Sequence, residues 1–216
     1  MSHWLLFLIS VMLLCSALIV VQTHIITVIK LLIAQNTLLA GYLLTQAVRL
    51  PSVALWVSFG ITVMVKMIVL PWLLWKLTRF LQLSGRIEPI VNKPTLLILV
   101  TILVLFALIL GQTMLSALPH LSVAGFSLSL ANAFVALLVV IVRRKTVTQI
   151  IGLLMLENSI FILAAALAAG FPWVIELGMS FDVLMGVMIF TLFLMRIQRE
   201  YGSFQVHHVE KLKERV

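Results

Sequence analysis

The sequence predicts an all-α integral membrane protein with seven transmembrane helices. Three observations carry that prediction. The 216 residues are 63% hydrophobic and 10% charged, more apolar surface than a soluble domain of this size can hide. The apolar residues fall in runs of about twenty, the length that crosses a bilayer. Twelve of the fifteen Lys and Arg residues lie in three segments: Lys76, Arg79, Arg86 and Lys93; Arg143, Arg144 and Lys145; and Arg196, Arg199, Lys211, Lys213 and Arg215. That clustering is the positive-inside pattern of cytoplasmic loops. The net charge of +8 therefore sets orientation in a lipid bilayer and does not point to nucleic acid. Seven crossings leave no room for an extramembrane domain.

The first span runs from about Trp4 to Val21. It looks superficially like a secretory leader but has no basic start, and Leu14 suits lipidation of Cys15 poorly. It reads as a membrane helix, with Cys15 a small buried hydrophobe. A single cysteine excludes an internal disulfide and a thiolate cluster. The second span covers about His24 to Val48. Pro51 opens the third, which continues to about Trp75, and Pro71 is expected to kink its last turn. The basic connection KLTRFLQLSGRIEPIVNK leads to a fourth span, about Pro94 to Gln112. A short segment with Pro119 and His120 precedes the fifth, about Leu121 to Val142. The basic triplet Arg143-Arg144-Lys145 precedes the sixth, TVTQIIGLLMLENSIFILAAALAA. Phe171-Pro172 turns the chain into the seventh, which ends at Met195, and residues 197–216 form a polar tail. With the basic segments in the cytoplasm, the C-terminus is cytoplasmic and the N-terminus outside. The second and sixth spans then run outward, the third and seventh inward, and Arg49 sits alone on the outer side.

An internal repeat is expected. LLIAQNTLL at 31–39 aligns with LLMLENSIF at 153–161, and SFGITVMV at 58–65 with SFDVLMGV at 180–187, both 122 positions apart. This predicts two parallel three-helix units joined by one extra helix. The divisions are 1–76 for a degenerate first unit and 77–113 for the cytoplasmic loop and linking span. Residues 114–197 form the second unit and 198–216 the tail. Gln35 stands where Glu157 stands, and Gly60 where Asp182 stands. The second unit holds the titratable groups; the first instead holds Lys30 and Lys66.

Ionisable side chains at membrane depth are costly unless protonated, paired or wetted, and are functional candidates for that reason. Glu157, near the middle of the sixth span, is a candidate proton relay, because burial disfavours an ionised carboxylate and eases proton exchange. Its bland alternative is a protonated or amide-paired side chain that fixes helix contacts. Asp182 lies between Gly178 and Gly186 on one face of the seventh span, where another helix or a water chain can approach. Ordinary packing of small residues competes with that reading. Glu176 reads as a wetted acid at the outer mouth. Lys66 is about 15 Å along its helix from Lys76, too far to snorkel easily. It reads as a relay base or, preferably, as a buried electrostatic partner of an acid on a neighbouring subunit. Lys30 is within snorkelling range. Gln35, Asn36 and Asn158 read as structural hydrogen-bonders between helices. His24, His120, His207 and His208 show no metal-ligand spacing, and no phosphate loop or nucleophile motif is present. The expectation is no catalytic, metal or cofactor site in this chain.

At Arg143-Arg144, IIGLLMLENSIFILAAALA and SFDVLMGVMIFTLFLMRI, the chain resembles the K subunit of respiratory complex I and the C subunit of Mrp-type antiporters. Those subunits carry a glutamate in an outward-running second helix and a carboxylate in the third. Glu157 matches the first; Asp182 matches the second, with aspartate for glutamate, which shortens its reach. This likeness covers about residues 121–198. The seven-span length, MLEN in the sixth span, the aspartate in the seventh and KMIVLPWLLW in the third resemble the hydrogenase-4 component E family over nearly the whole chain. Its members are membrane-arm subunits of group 4 nickel-iron hydrogenases or formate hydrogenlyase assemblies. The resemblance implies a non-catalytic subunit without its own cofactor in a bacterial or archaeal cytoplasmic (inner) membrane. It would pack between antiporter-like subunits and a quinone-site-like membrane subunit. It would couple peripheral redox subunits to proton or sodium movement, with Glu157 and Asp182 as relay residues; Lys66 joins them as a candidate from its depth in the third span. Three rivals stay open: a scaffold sealing the gap between proton-moving neighbours, a subunit of a related complex with another electron donor, and a stand-alone transporter. Parallel repeats suit the transporter, but no pair of broken helices falls at matching positions.

Overall fold

The structure is a computed structural model that describes residues 3–49, 53–80, 90–115 and 122–167, with isolated helical positions at 184, 186–188, 191 and 195. Every regular element among them is a helix. These are α1 (His3–Val21), α2 (Ile25–Arg49), α3 (Val53–Ile61), a π-helical segment (Thr62–Val69), α4 (Leu70–Phe80), α5 (Lys93–Leu115), α6 (Val123–Val142) and α7 (Thr146–Leu167). Among the described residues six stretches are long and apolar enough to cross a membrane, the third running through α3, the π segment and α4. Most of the expected seventh span, including Glu176 and Asp182, lies outside the described residues. The chain divides into two compact units, Met1–Ser180 and Phe181–Val216. In the second, Thr191 Oγ1 donates to the Val187 carbonyl at 2.6 Å one helical turn back.

The helices of the first unit begin and end where local chemistry dictates. Pro94 sits in the first turn of α5, where its missing N–H deprives no acceptor. The Asn92 carbonyl accepts from Leu96 N–H at 3.0 Å and starts the helix. Arg143 takes an extended conformation that ends α6. The short turn to α7 is then closed by Gln149 Nε2 on the Arg143 carbonyl at 2.9 Å and by Thr148 Oγ1 on the Lys145 carbonyl at 2.6 Å.

Within the first unit, α1 packs on α2 and α6, α6 on α5 and α7, and α2 on the third span and α7. Leu5, Leu8, Ile9 and Met12 of α1 meet Leu39, Tyr42 and Leu43 of α2 and Phe161 and Ile162 of α7 in one apolar cluster. Two glycines set close approaches. A Cβ at Gly111 would stand 1.7 Å from Ser127 Oγ, and one at Gly152 would stand 2.7 Å from Val140 Cγ2. The backbones of α5 and α7 therefore come close against α6, as small residues allow in membranes. On α5 the large side chains face outward: Leu97, Ile98, Ile102, Leu105, Phe106 and Ile109 are exposed. That apolar outside and the polar side chains inside suit a protein whose solvent is lipid.

Candidate functional site

One group of buried polar residues gathers between α2, the π segment and α7. Lys66 Nζ lies 3.1 Å from Glu157 Oε1, with side chains 2% and 6% exposed. The same ammonium donates to Asn158 Oδ1 at 3.2 Å. Asn158 Nδ2 donates to Asn36 Oδ1 at 2.7 Å, and Asn36 Nδ2 donates to the Lys66 main-chain carbonyl at 2.6 Å. Lys66, Asn158 and Asn36 thus form a closed ring of hydrogen bonds, with Glu157 attached through the ammonium.

The backbone of the third span explains why the ring closes at Lys66. Leu70 N–H bonds back to the Val65 carbonyl, five residues away, so it does not serve the Lys66 carbonyl as an α-helix would have it. In that register the donor for Lys66 would be residue 71, which is Pro71 and has no N–H. The Asn36 side chain supplies the missing donor. The lysine carbonyl is thus left to a donor from another helix within a π-helical stretch, a local geometry found frequently at functional sites.

Aromatic residues mark the depth of this site. Trp56 near the start of the third span and Trp72 and Trp75 near its end are all exposed, as side chains at the two edges of a bilayer are. Lys76 Nζ lies 5.1 Å from the Trp72 ring centre, a cation–π contact. Lys66 falls between Trp56 and the Trp72–Trp75 pair along the span, inside the helix packing. Lys30 is exposed, whereas Lys66 is among the largest fully buried side chains.

Sequence reasoning picked out Lys66 and Glu157 separately and allowed the lysine an acid on a neighbouring subunit; the structure joins the two within the chain. A signal was available, since each is the sole ionisable group deep in its span. Asn36 and Asn158 were expected to bridge helices, and they bond to each other. Asp182 lies outside the described residues.

Arg143 was read only as an orienting charge. Its guanidinium is buried at 2% exposure, and Nη2 faces the carbonyls of Ile19 at 2.7 Å, Val20 at 3.0 Å and Gln22 at 2.5 Å. Those carbonyls end α1, where the helix has lost its own donors and carries partial negative charge. Burial pushes the Arg143 guanidinium below its usual range, yet arginine starts so high that it stays charged at neutral pH. It pins α1 to the α6–α7 turn. Among the described residues no group of three or more His, Cys, Asp or Glu side chains stands close enough to hold a metal.

Over 203 residues the chain is 31% identical to the uncharacterized protein Rv0085 of Mycobacterium tuberculosis, covering 93% of this chain and 92% of that one. It is 27% identical to hydrogenase-4 component E of Escherichia coli K12 over 89 residues, which is 41% of each chain. Hydrogenase-4 component E of Shigella flexneri matches to the same extent. This second likeness is narrower than the nearly full-length resemblance expected from the motifs. No family model matches the chain, and no solved structure matches it significantly.

Proposed function

The chain belongs to one family with the mycobacterial protein Rv0085, and from that premise we propose that it is a membrane-arm subunit of an energy-converting, hydrogenase-type complex. The partial likeness to hydrogenase-4 component E supports the complex. The observation that carries the mechanism is the buried Lys66–Glu157 ion pair. The proposed partners are antiporter-like subunits and a quinone-site-like subunit of the same arm, with peripheral redox subunits acting at a distance. The subunit does not itself catalyse the redox reaction. The proposed setting is the cytoplasmic membrane with the N-terminus outside.

The pair has a defined proton chemistry. A proton arriving at Glu157 neutralises the carboxylate and leaves the Lys66 ammonium unpaired in hydrocarbon, which costs several kcal/mol. Release of a proton from Lys66 removes that cost, so uptake at one group drives release at the other. Asn158 Oδ1 can accept from the Lys66 nitrogen as ammonium or as amine. Asp182 is proposed as the next carboxylate, on the seventh span. In the proposed architecture two parallel three-helix units face each other. The packing of α1 on α6 and α2 on α7 and the bond between the matching Asn36 and Asn158 support it.

The test is Glu157→Gln in the assembled complex. The expected outcome is intact assembly and intact hydrogenase activity with artificial electron carriers, but reduced proton translocation by vesicles. One observation favours a second reading, a scaffold. The hydrogen bonds of Lys66, Asn36 and Asn158 close on one another and tie three helices together. Unchanged translocation in the Glu157→Gln complex selects the scaffold.

A further inference from the structure

A second buried polar cluster lies on the other side of α2. Gln35 and Asn36 are consecutive, so their side chains leave the helix about 100° apart. Asn36 turns to Lys66 and Asn158; Gln35 turns to α1 and α6. Gln35 Nε2 donates to Ser16 Oγ at 2.8 Å. Ser16 Oγ is in hydrogen-bonding reach of the Met12 carbonyl at 3.0 Å and of Asn132 Oδ1. Ser16, Gln35 and Asn132 are all 0% exposed. Yet neither Gln35 Oε1 nor Asn132 Nδ2 meets a hydrogen-bond partner among the described residues. Two amide ends left unmatched in one buried cluster are costly, and such groups are ordinarily satisfied by protein or by ordered water.

The chemistry selects the occupant. A serine hydroxyl has one hydrogen to give. If Ser16 gives it to Asn132 Oδ1, the cluster leaves one acceptor on Gln35 and one donor on Asn132. If Ser16 gives it to the Met12 carbonyl, the Asn132 amide turns over to donate to Ser16, and two amide oxygens are left. Water satisfies either arrangement, accepting one hydrogen and giving one in the first, giving both in the second. A metal cation suits only the second, and there it finds at most three side-chain oxygens. We propose that Ser16, Gln35 and Asn132 hold an internal water at mid-membrane depth between α1, α2 and α6. This water stands beside the residue that the repeat aligns with Glu157. It gives the α1–α6 side of the protein a group able to accept and pass a proton, which the amides alone are not.

The test is a density map of the full chain in its complex or in lipid nanodiscs, at a resolution that shows internal water. A peak about 2.8 Å from both free amide ends is the expected result. Density absent there, in a map that shows water elsewhere inside the protein, overturns the proposal. So does a peak whose occupancy follows sodium concentration. Solid-state NMR of the bilayer-embedded protein gives an independent reading. Side-chain amide signals lost in Gln35→Met and in Asn132→Leu should receive magnetisation from water; signals that receive none, while exposed Asn92 does, overturn it. Neither measurement depends on proton translocation, so the outcome of the Glu157→Gln experiment leaves this inference standing or falling on its own.

Discussion

Lys66 and Glu157 are individually unfavourable in hydrocarbon and acceptable only together. Removing one partner of a buried pair typically costs about 3–5 kcal/mol, unless the survivor becomes neutral. Lys66→Met and Glu157→Gln should each lower the melting temperature in detergent, and the double variant should lose less than the sum of the two, because neither partner is then left buried alone. Additive losses would mean that the two groups do not sense one another. At this scale the sequence made the two residues visible as isolated charges in apolar runs. It did not reveal their pairing, because a contact across 91 positions depends on how the spans pack.

The third span makes its own prediction. Pro71→Ala removes the ring that crowds the Met67 carbonyl and returns the N–H that would bond it in an α-helix, leaving Leu70 N–H free to serve Lys66. An uninterrupted α-helix through residues 62–70 is expected in a structure of that variant, with Lys66 rotated off Glu157 and Asn36 released. If the π register persists, residues other than Pro71 impose it. A proline in the span was legible and suggested a kink. The local hydrogen-bond shift was not, since the replacement donor comes from α2. The contact of α6 with α7 is tested by Gly152→Val. Its first added carbon already falls 2.7 Å from Val140 Cγ2 and 3.0 Å from the Val140 backbone nitrogen. Overpacking of this kind costs about 1–3 kcal/mol, to be read as a lower melting temperature in detergent.

For the whole molecule, orientation is the open prediction. Cys15 is buried, so the native thiol gives little background to a membrane-impermeant reagent. Asn92→Cys should be labelled from the cytoplasmic side and Ser122→Cys from the outside; the reverse pattern inverts the topology. Ile90 N–H bonds to the Val142 carbonyl at 3.1 Å, and Arg143 reaches the end of α1. Ile90 ahead of α5, the end of α6 and the end of α1 therefore share one face.

Hydropathy and charge placement by themselves determined that this chain is helical and membrane-bound, because span length and the cost of bare charge are local properties that any stretch of sequence displays. They also singled out Glu157 and Lys66 as residues needing a reason to be there. Only the tertiary structure decided that each is the other's reason, that Asn36 meets Asn158, that Arg143 ends α1 and that Ser16, Gln35 and Asn132 converge. Partners for buried polar groups come from other helices, and lipid offers little hydrophobic force to dictate which helices meet. Those choices rest on close packing at residues such as Gly111 and Gly152, whose meaning appears only once the facing helix is in place.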